Sequence, residues 1–334
     1  MNSDIKTKTF ERGGESEAAP VQPGQIALAN ASRFNEAYLS QPLSAYAVGW
    51  SDDGSLLGDL DFVAPPVLVP RRFEYRKADN SEEFLDERED IRAIGAEFRR
   101  VEPTGEIVLG KTYNKGLTLR VDLDQVSGIE SWRQMAVARL LRRLLRSELR
   151  RAISFLYNAA SSTPAVWSGA AAEDPDSDLL NALESAADDS GLKPNRILFG
   201  DSAWAARSLS HRAQSTAGGF ASATLSPEAL AALLGVEQVR RCSQRRQGPG
   251  AGKVGFAENL VLLFSAYAHQ SVEDPSNIKR FVTPCEDGSL YRVYEQALTS
   301  KITDITVEHY SNIVITSSPG IAALAISTQS EEGD

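Results

Sequence analysis

Apolar positions recur with helical period from Gly128 to Ala160, where the chain reads GIESWRQMAVARLLRRLLRSELRRAISFLYNAA. Val137, Leu141, Leu145, Ala152 and Leu156 form a stripe, widened by Leu140, Leu144, Leu149 and Ile153. The pattern predicts one helix over the whole run, on the order of 45 Å long at ~1.5 Å per residue, where an average globular helix has about three turns. Ser127 and Glu130, spaced as a capping box, mark its start, and Ser-Ser-Thr followed by Pro164 marks its end. The side opposite the stripe is arginine: Arg139, Arg143, Arg146 and Arg150 recur at helical spacing, with Arg142 and Arg151 beside them. Glu130 and Glu148 are the acids of the run, so few i,i+4 pairs offset the repulsion among these cations.

Period-two alternation appears upstream. Val69, Phe73 and Tyr75 among Arg72, Glu74 and Arg76 predict a strand with one polar face, and Leu117, Leu119, Val121 and Leu123 against Thr118, Arg120, Asp122 and Asp124 predict another. Between them, from Lys77 to Lys115, charge dominates and apolar positions are too few for a core, so the segment is a long excursion that must rest on something else. Residues 26–48 read as a short helix and connector, and SDDGSLLGD as a turn region.

Downstream, DSDLLNALESAADDSG is a helix closed by Gly191, RILFG a short buried strand, and LSPEALAALLG a helix opened by Ser226 and Pro227 and closed by Gly235. QRRQGPGAGKVG reads as a flexible loop and NLVLLFSAY as an apolar strand. Strands are expected from Leu290 to Tyr294, Lys301 to Val307 and Ile313 to Thr316, the last two as a hairpin turning at Ser311 and Asn312.

The chain of 334 residues is 42% hydrophobic and 24% charged, enough for two or three ordinary domains, with polar segments at both ends. No apolar run reaches the roughly 18 residues of a membrane span, and no apolar stretch follows the first lysines, so a soluble, non-secreted protein is expected. A net charge of −10 argues against wrapping nucleic acid as the main task but leaves room for a local basic surface. Cys242 and Cys285 read as free thiols.

Three motifs suggest chemistry and lack its requirements. FGDSAW places Ser202 where GDSL hydrolases carry their nucleophile, but Thr306 stands where an acid should precede His309, so the serine has no activated base. GPGAGKV has three residues between Gly248 and Gly252 where a phosphate loop has four, and Val254 follows Lys253. Asp174, Asp176 and Asp178 start like a calcium loop, but its sixth and twelfth positions are Leu179 and Ser185, and the acids read as helix-start residues. His211, His269 and His309 are isolated. No catalytic, cofactor or metal site is expected.

The order of these segments resembles the major capsid proteins of tailed bacteriophages, the Hong Kong 97-like fold shared with encapsulin shells. DIRAIGAEFRRVEPTGEIVLGKTYNKGLTLRVDLD, the helix beginning GIESWRQMAVARLL, KPNRILFGDSAW and VEHYSNIVITSSPGIAALAI carry the resemblance, which runs from about Ala31 to Ser327. It implies an α+β chain with an N-arm over residues 1–48 and an extended β-hairpin E-loop region over 49–125. A P-domain with the spine helix follows over 126–175, an α/β A-domain over 176–270, and returning P-domain strands and a polar tail over 271–334. It also implies a non-enzymatic subunit that self-assembles, as pentamers and hexamers, into an icosahedral head around double-stranded DNA. The chain would assemble in the host cytoplasm and end in the virion capsid, with a portal and, because the arm is short, a separate scaffolding protein. An encapsulin-type compartment shell is the alternative, and a GDSL-like hydrolase the alternative of another class. Some relatives crosslink an E-loop lysine to an asparagine; Lys111 and Lys115 lie in that region, with no partner identified.

Candidate inter-subunit contacts follow from charge. The acidic cluster Glu82, Glu83, Asp86, Glu87, Glu89 and Asp90 is expected to meet Arg139, Arg143, Arg146 and Arg150 of an adjacent subunit. In the alternative, those arginines face the lumen and contact DNA phosphates.

Overall fold

The computed structural model describes residues 38–52, 55–77, 91–92, 94–95, 97, 106–248, 250, 252–267, 274–286 and 288–329. The arm before residue 38, the acidic cluster from Glu82 to Asp90, most of the charged excursion and His269 lie outside the described residues.

The long helix, α3, spans Trp132–Ala159, after α1 (Gln41–Gly49) and α2 (Leu56–Val63). It opens later than the capping-box spacing predicts. Gly128 has φ +85°, which an α-helix cannot contain, and the Gln125 and Ile129 amides close separate turns on Asp122 and Val126. Ser127 and Glu130 therefore precede the helix, and Ser131 at the N-cap makes no side-chain cap bond.

The length of α3 is used by two sheets. The first contains β1 (Pro66–Leu68), β4 (Tyr113–Asp122), β11 (Ile278–Thr283), β12 (Arg292–Ala297) and β13 (Ile302–Ile315). Along β13, residues 302–311 pair with β4, 303–308 with β12 and 310–315 with β11, all antiparallel. Val137, Leu140, Leu141 and Leu144 of α3 pack here with Val121, Val293, Ile305 and Val307, and with Leu43 and Ala47 of α1.

The second sheet has the order β5-β14-β10-β6-β7, from β5 (Ser161–Val166), β6 (Arg196–Gly200), β7 (Gln238–Cys242), β10 (Leu260–Phe264) and β14 (Ala322–Ser327). Its strands β6 and β10 are continuous apolar runs because both faces are covered. Leu198, Leu262 and Phe264 face α2 and the second half of α3, with Leu145, Leu149 and Leu156. Ile197, Phe199, Val261 and Leu263 face the other way, toward Leu179, Leu183, Trp204 and Leu230. Those residues belong to α4 (Pro175–Ser190), α5 (Asp201–Ala213) and α7 (Pro227–Leu234); α6 (Ala217–Ala223) lies between the last two. Asp174 caps α4 and Ser226 caps α7, with Gly191 and Gly235 as their left-handed ends.

The Ser-Ser-Thr-Pro stretch ends the long helix as expected and continues as β5, held by parallel pairing with β14. Three expectations are corrected. SDDGSLLGD holds the first turns of α2, where Asp52 Oδ2 accepts from the Leu56 amide. QRRQGPGAGKVG folds as a hairpin of β8 (Arg245–Gln247) and β9 (Lys253–Gly255). No turn occurs at Ser311 and Asn312, because β13 runs through both. Ser311 donates to Glu148 Oε2 at 3.0 Å and Asn312 Nδ2 to the Lys111 carbonyl at 2.9 Å, so their polar groups are satisfied within the strand.

Candidate interaction surface

The outer side of α3 carries the predicted arginines. Arg139, Arg143 and Arg150 are exposed and form no hydrogen bond or ion pair with any described residue, whereas Arg142 pairs with Asp52 at 3.2 Å beside Trp50. Tyr46, Trp50, Met135, Arg139, Arg142 and Arg143 line an open cleft of about 740 Å³ between α1 and α3. Arg146 behaves differently. It is half-buried, donates to Gln244 Oε1 at 2.9 Å and to the Arg245 carbonyl, and lies 5.3 Å from the Phe256 ring. The hairpin of β8 (Arg245–Gln247) and β9 (Lys253–Gly255) is thereby fastened to the helix; Arg245 and Lys253 are exposed on one of its faces and the half-buried Arg246 is on the other. Sequence reasoning missed this. The signal was available as RR and K flanking a glycine-rich turn.

The acidic partners expected for these arginines lie outside the described residues. The base of the excursion is described. β2 (Arg72–Lys77) pairs antiparallel with β3 (Glu106–Lys111), and Phe73 and Tyr75 stack on Phe281 with centroids 4.4 and 5.4 Å away. Its other side stays uncovered: Ile107 is 58% and Leu109 80% exposed, and farther along Ile91 and Ile94 are also exposed.

Beneath α3 lies a buried polar cluster. Glu148, only 2% exposed, occupies the apolar stripe, accepting from Lys115 Nζ at 2.7 Å, Arg151 Nη1 at 2.6 Å and Ser311 Oγ at 3.0 Å. Burial alone would raise its carboxyl, but the charges of Lys115, His309 and Arg151 and the Lys115 hydrogen bond outweigh burial and hold it below the ordinary range. His309 stacks on Tyr291 at 5.4 Å, and burial pushes its imidazole down to about 4 against the opposing pull of Glu148. Lys115, one of the two lysines considered for a crosslink, is engaged in this cluster.

The tempting motifs have structural partners. Ser202 Oγ, at the start of α5, accepts from the Asn259 amide at 2.8 Å, while His309 sits in the other sheet. Gly200 brings the chain against the Ala257 carbonyl so closely that a Cβ there would lie 1.6 Å from its oxygen. Asp174 accepts from the Ser177 amide and hydroxyl, Asp176 from Arg207 at 2.7 and 2.9 Å with His211 at 3.1 Å, and Asp178 from Trp167 Nε1 at 2.8 Å. Cys242 is buried and Cys285 half-buried, and both are thiols outside any disulfide. Among the described residues no group of His, Cys, Asp and Glu is arranged to hold a metal ion, and no helix is long and apolar enough to cross a membrane.

No protein-family model matches the chain, and no curated protein matches it by sequence. Solved structures do. A phage-related protein from Bordetella bronchiseptica RB50 aligns at 18% identity with a TM-score of 0.64, over 86% of this chain and 96% of that one. The capsid of cyanophage P-SCSP1u aligns at 8% identity with a TM-score of 0.49, over 80% and 88% of the two chains. An encapsulin from Synechococcus elongatus PCC 7942 aligns at 11% with a TM-score of 0.46, over 80% and 87%. The first of these carries the comparison: the chain takes the fold of the Bordetella phage-related protein, an α+β fold in which a long helix bridges two sheets.

Proposed function

We propose that this chain is a major capsid protein, a non-enzymatic subunit that assembles with copies of itself into the icosahedral head of a tailed bacteriophage and encloses double-stranded DNA. The observation that carries this reading is the β2–β3 excursion. It is anchored on one side by Phe73 and Tyr75 and leaves Ile107 and Leu109 uncovered on the other. An arm that leaves two large apolar side chains exposed among charged ones is built to be completed by a neighbour. The α3 helix, holding two sheets on one rigid element, gives such a tile a fixed geometry. A portal would complete the head in the host cytoplasm, where a separate scaffolding protein would set the size and closure of shells that the chain builds by its own contacts.

Electron microscopy of the purified chain tests the proposal. Closed shells or curved arrays of rings support it, and monomers or dimers at every concentration refute it. Nuclease-protected DNA inside particles from infected cells distinguishes a phage head from a compartment shell that encloses an enzyme.

A further inference from the structure

We propose that the outer face of α3 and the β8–β9 hairpin form one track for the phosphate backbone of duplex DNA; this rests on the capsid reading and names the surface that meets the genome. Some exposed cations elsewhere come with acids, Arg120 with Asp304, Arg133 with Glu295 and Lys301 with Asp124, and others, such as Arg72 and Arg212, stand without one among the described residues. Along this track several such unpaired cations stand together on one helix and the hairpin beside it. Arg139, Arg143 and Arg150 on the helix, and Arg245, Arg246 and Lys253 on the hairpin, pair with no carboxylate among the described residues. Lys253 donates to the neutral Gln247 Oε1. Arg146, which joins the two elements, also spends its donors on neutral oxygens, Gln244 Oε1 and the Arg245 carbonyl. Asp52, which pairs with Arg142 beside Arg139 and Arg143, and Glu258, packed near Gly255 at the base of the hairpin, are the acids that these contacts place near the track.

In a chain of net charge −10, an unneutralised set of this kind is costly unless a polyanion covers it. Dimension and chemistry favour a nucleic-acid duplex. From Arg139 to Arg150 the helix rises roughly 16 Å, and a duplex presents one charge per about 1.7 Å, so on the order of ten phosphates run alongside. Guanidinium forks match phosphate oxygens in pairs, and such contacts position the duplex without reading its bases.

The test measures binding of the purified full chain to a short duplex of mixed sequence as a function of salt. The track variant combines Arg139→Gln, Arg143→Gln, Arg245→Gln and Lys253→Gln; the control combines Arg72→Gln and Lys301→Gln, exposed cations elsewhere. Removing a phosphate contact lowers the slope of log affinity against log salt by about 0.9. The quadruple variant should lose about 3 to 4 units of slope and at least about tenfold in affinity at low salt, and the control neither. The helix pair and the hairpin pair, made separately, should each lose about half, which keeps the test intact if the quadruple variant does not fold. Equal binding by track and control variants overturns the proposal. So does tighter binding of a peptide covering residues 81–90 than of the duplex, which assigns the arginines to the acidic segment of a second copy. Absence of shells from wild-type protein refutes the capsid reading separately, whatever the binding result.

Discussion

Lys115 Nζ on β4 lies 2.7 Å from Glu148 Oε1 on α3, and this pair ties the returning end of the charged excursion to the long helix. Glu148 also takes Arg151 and Ser311, so its removal leaves a buried ammonium and a guanidinium without their acceptor. Glu148→Gln should cost about 3 kcal/mol in denaturant unfolding, at the low end for a broken buried pair because Arg151 is partly exposed. Lys115→Met should cost less, since the carboxylate keeps two partners. A Glu148→Gln variant as stable as wild type would show that the cluster is not structural.

His309 and Glu148 both make the fold acid-sensitive, and the sign follows from their directions. The His309 imidazole is held near 4, below its ordinary value of 6.5, so between those values the unfolded chain binds more protons and stability falls as pH falls. The loss begins near pH 6.5, is complete below about 4, and amounts to at most about 3 kcal/mol. Glu148, held low, adds a further loss as pH falls through its folded value. Unfolding free energy measured across this range should slope upward with pH in the wild type, and the slope above pH 4.5 should flatten in His309→Gln. An unchanged slope in that variant would place the sensitivity elsewhere.

Ile107 and Leu109 stand on the uncovered side of the excursion, so charges there should leave the isolated chain intact. Ile107→Asp with Leu109→Asp is expected to change monomer stability by under about 0.5 kcal/mol per site while abolishing assembly seen by sedimentation. Full assembly by this double variant would mean that the side meets solvent in the shell.

Gly200 joins β6 to α5 with no room for a side chain. Gly200→Ala would drive its Cβ into the Ala257 carbonyl, and the backbone shift needed should cost about 3 kcal/mol or more, read as loss of soluble, cooperatively unfolding protein. Near-wild-type unfolding would contradict the strand-to-helix packing described above.

The long helix, both capped helices and the apolar strands β6 and β10 were legible because each is specified locally, by period, cap residue or an unbroken apolar run. What escaped is set by distant partners. Ser311 and Asn312 look like a turn until Glu148 and the Lys111 carbonyl are placed beside them. Ser161 to Val166 looks like a helix terminator until β14 pairs with it. The basic hairpin looks like a loop until Arg146 fastens it. Glu148 could have been found: an acid flanked by Leu144, Leu145, Leu149 and Ala152 in an apolar stripe announces a buried cation.

The central claim is that this chain builds a shell. Electron microscopy of the purified protein across a range of concentration and ionic strength tests it most directly. Closed shells, or curved arrays of five- and six-membered rings, are the predicted result. Only monomers or dimers under all those conditions would contradict it.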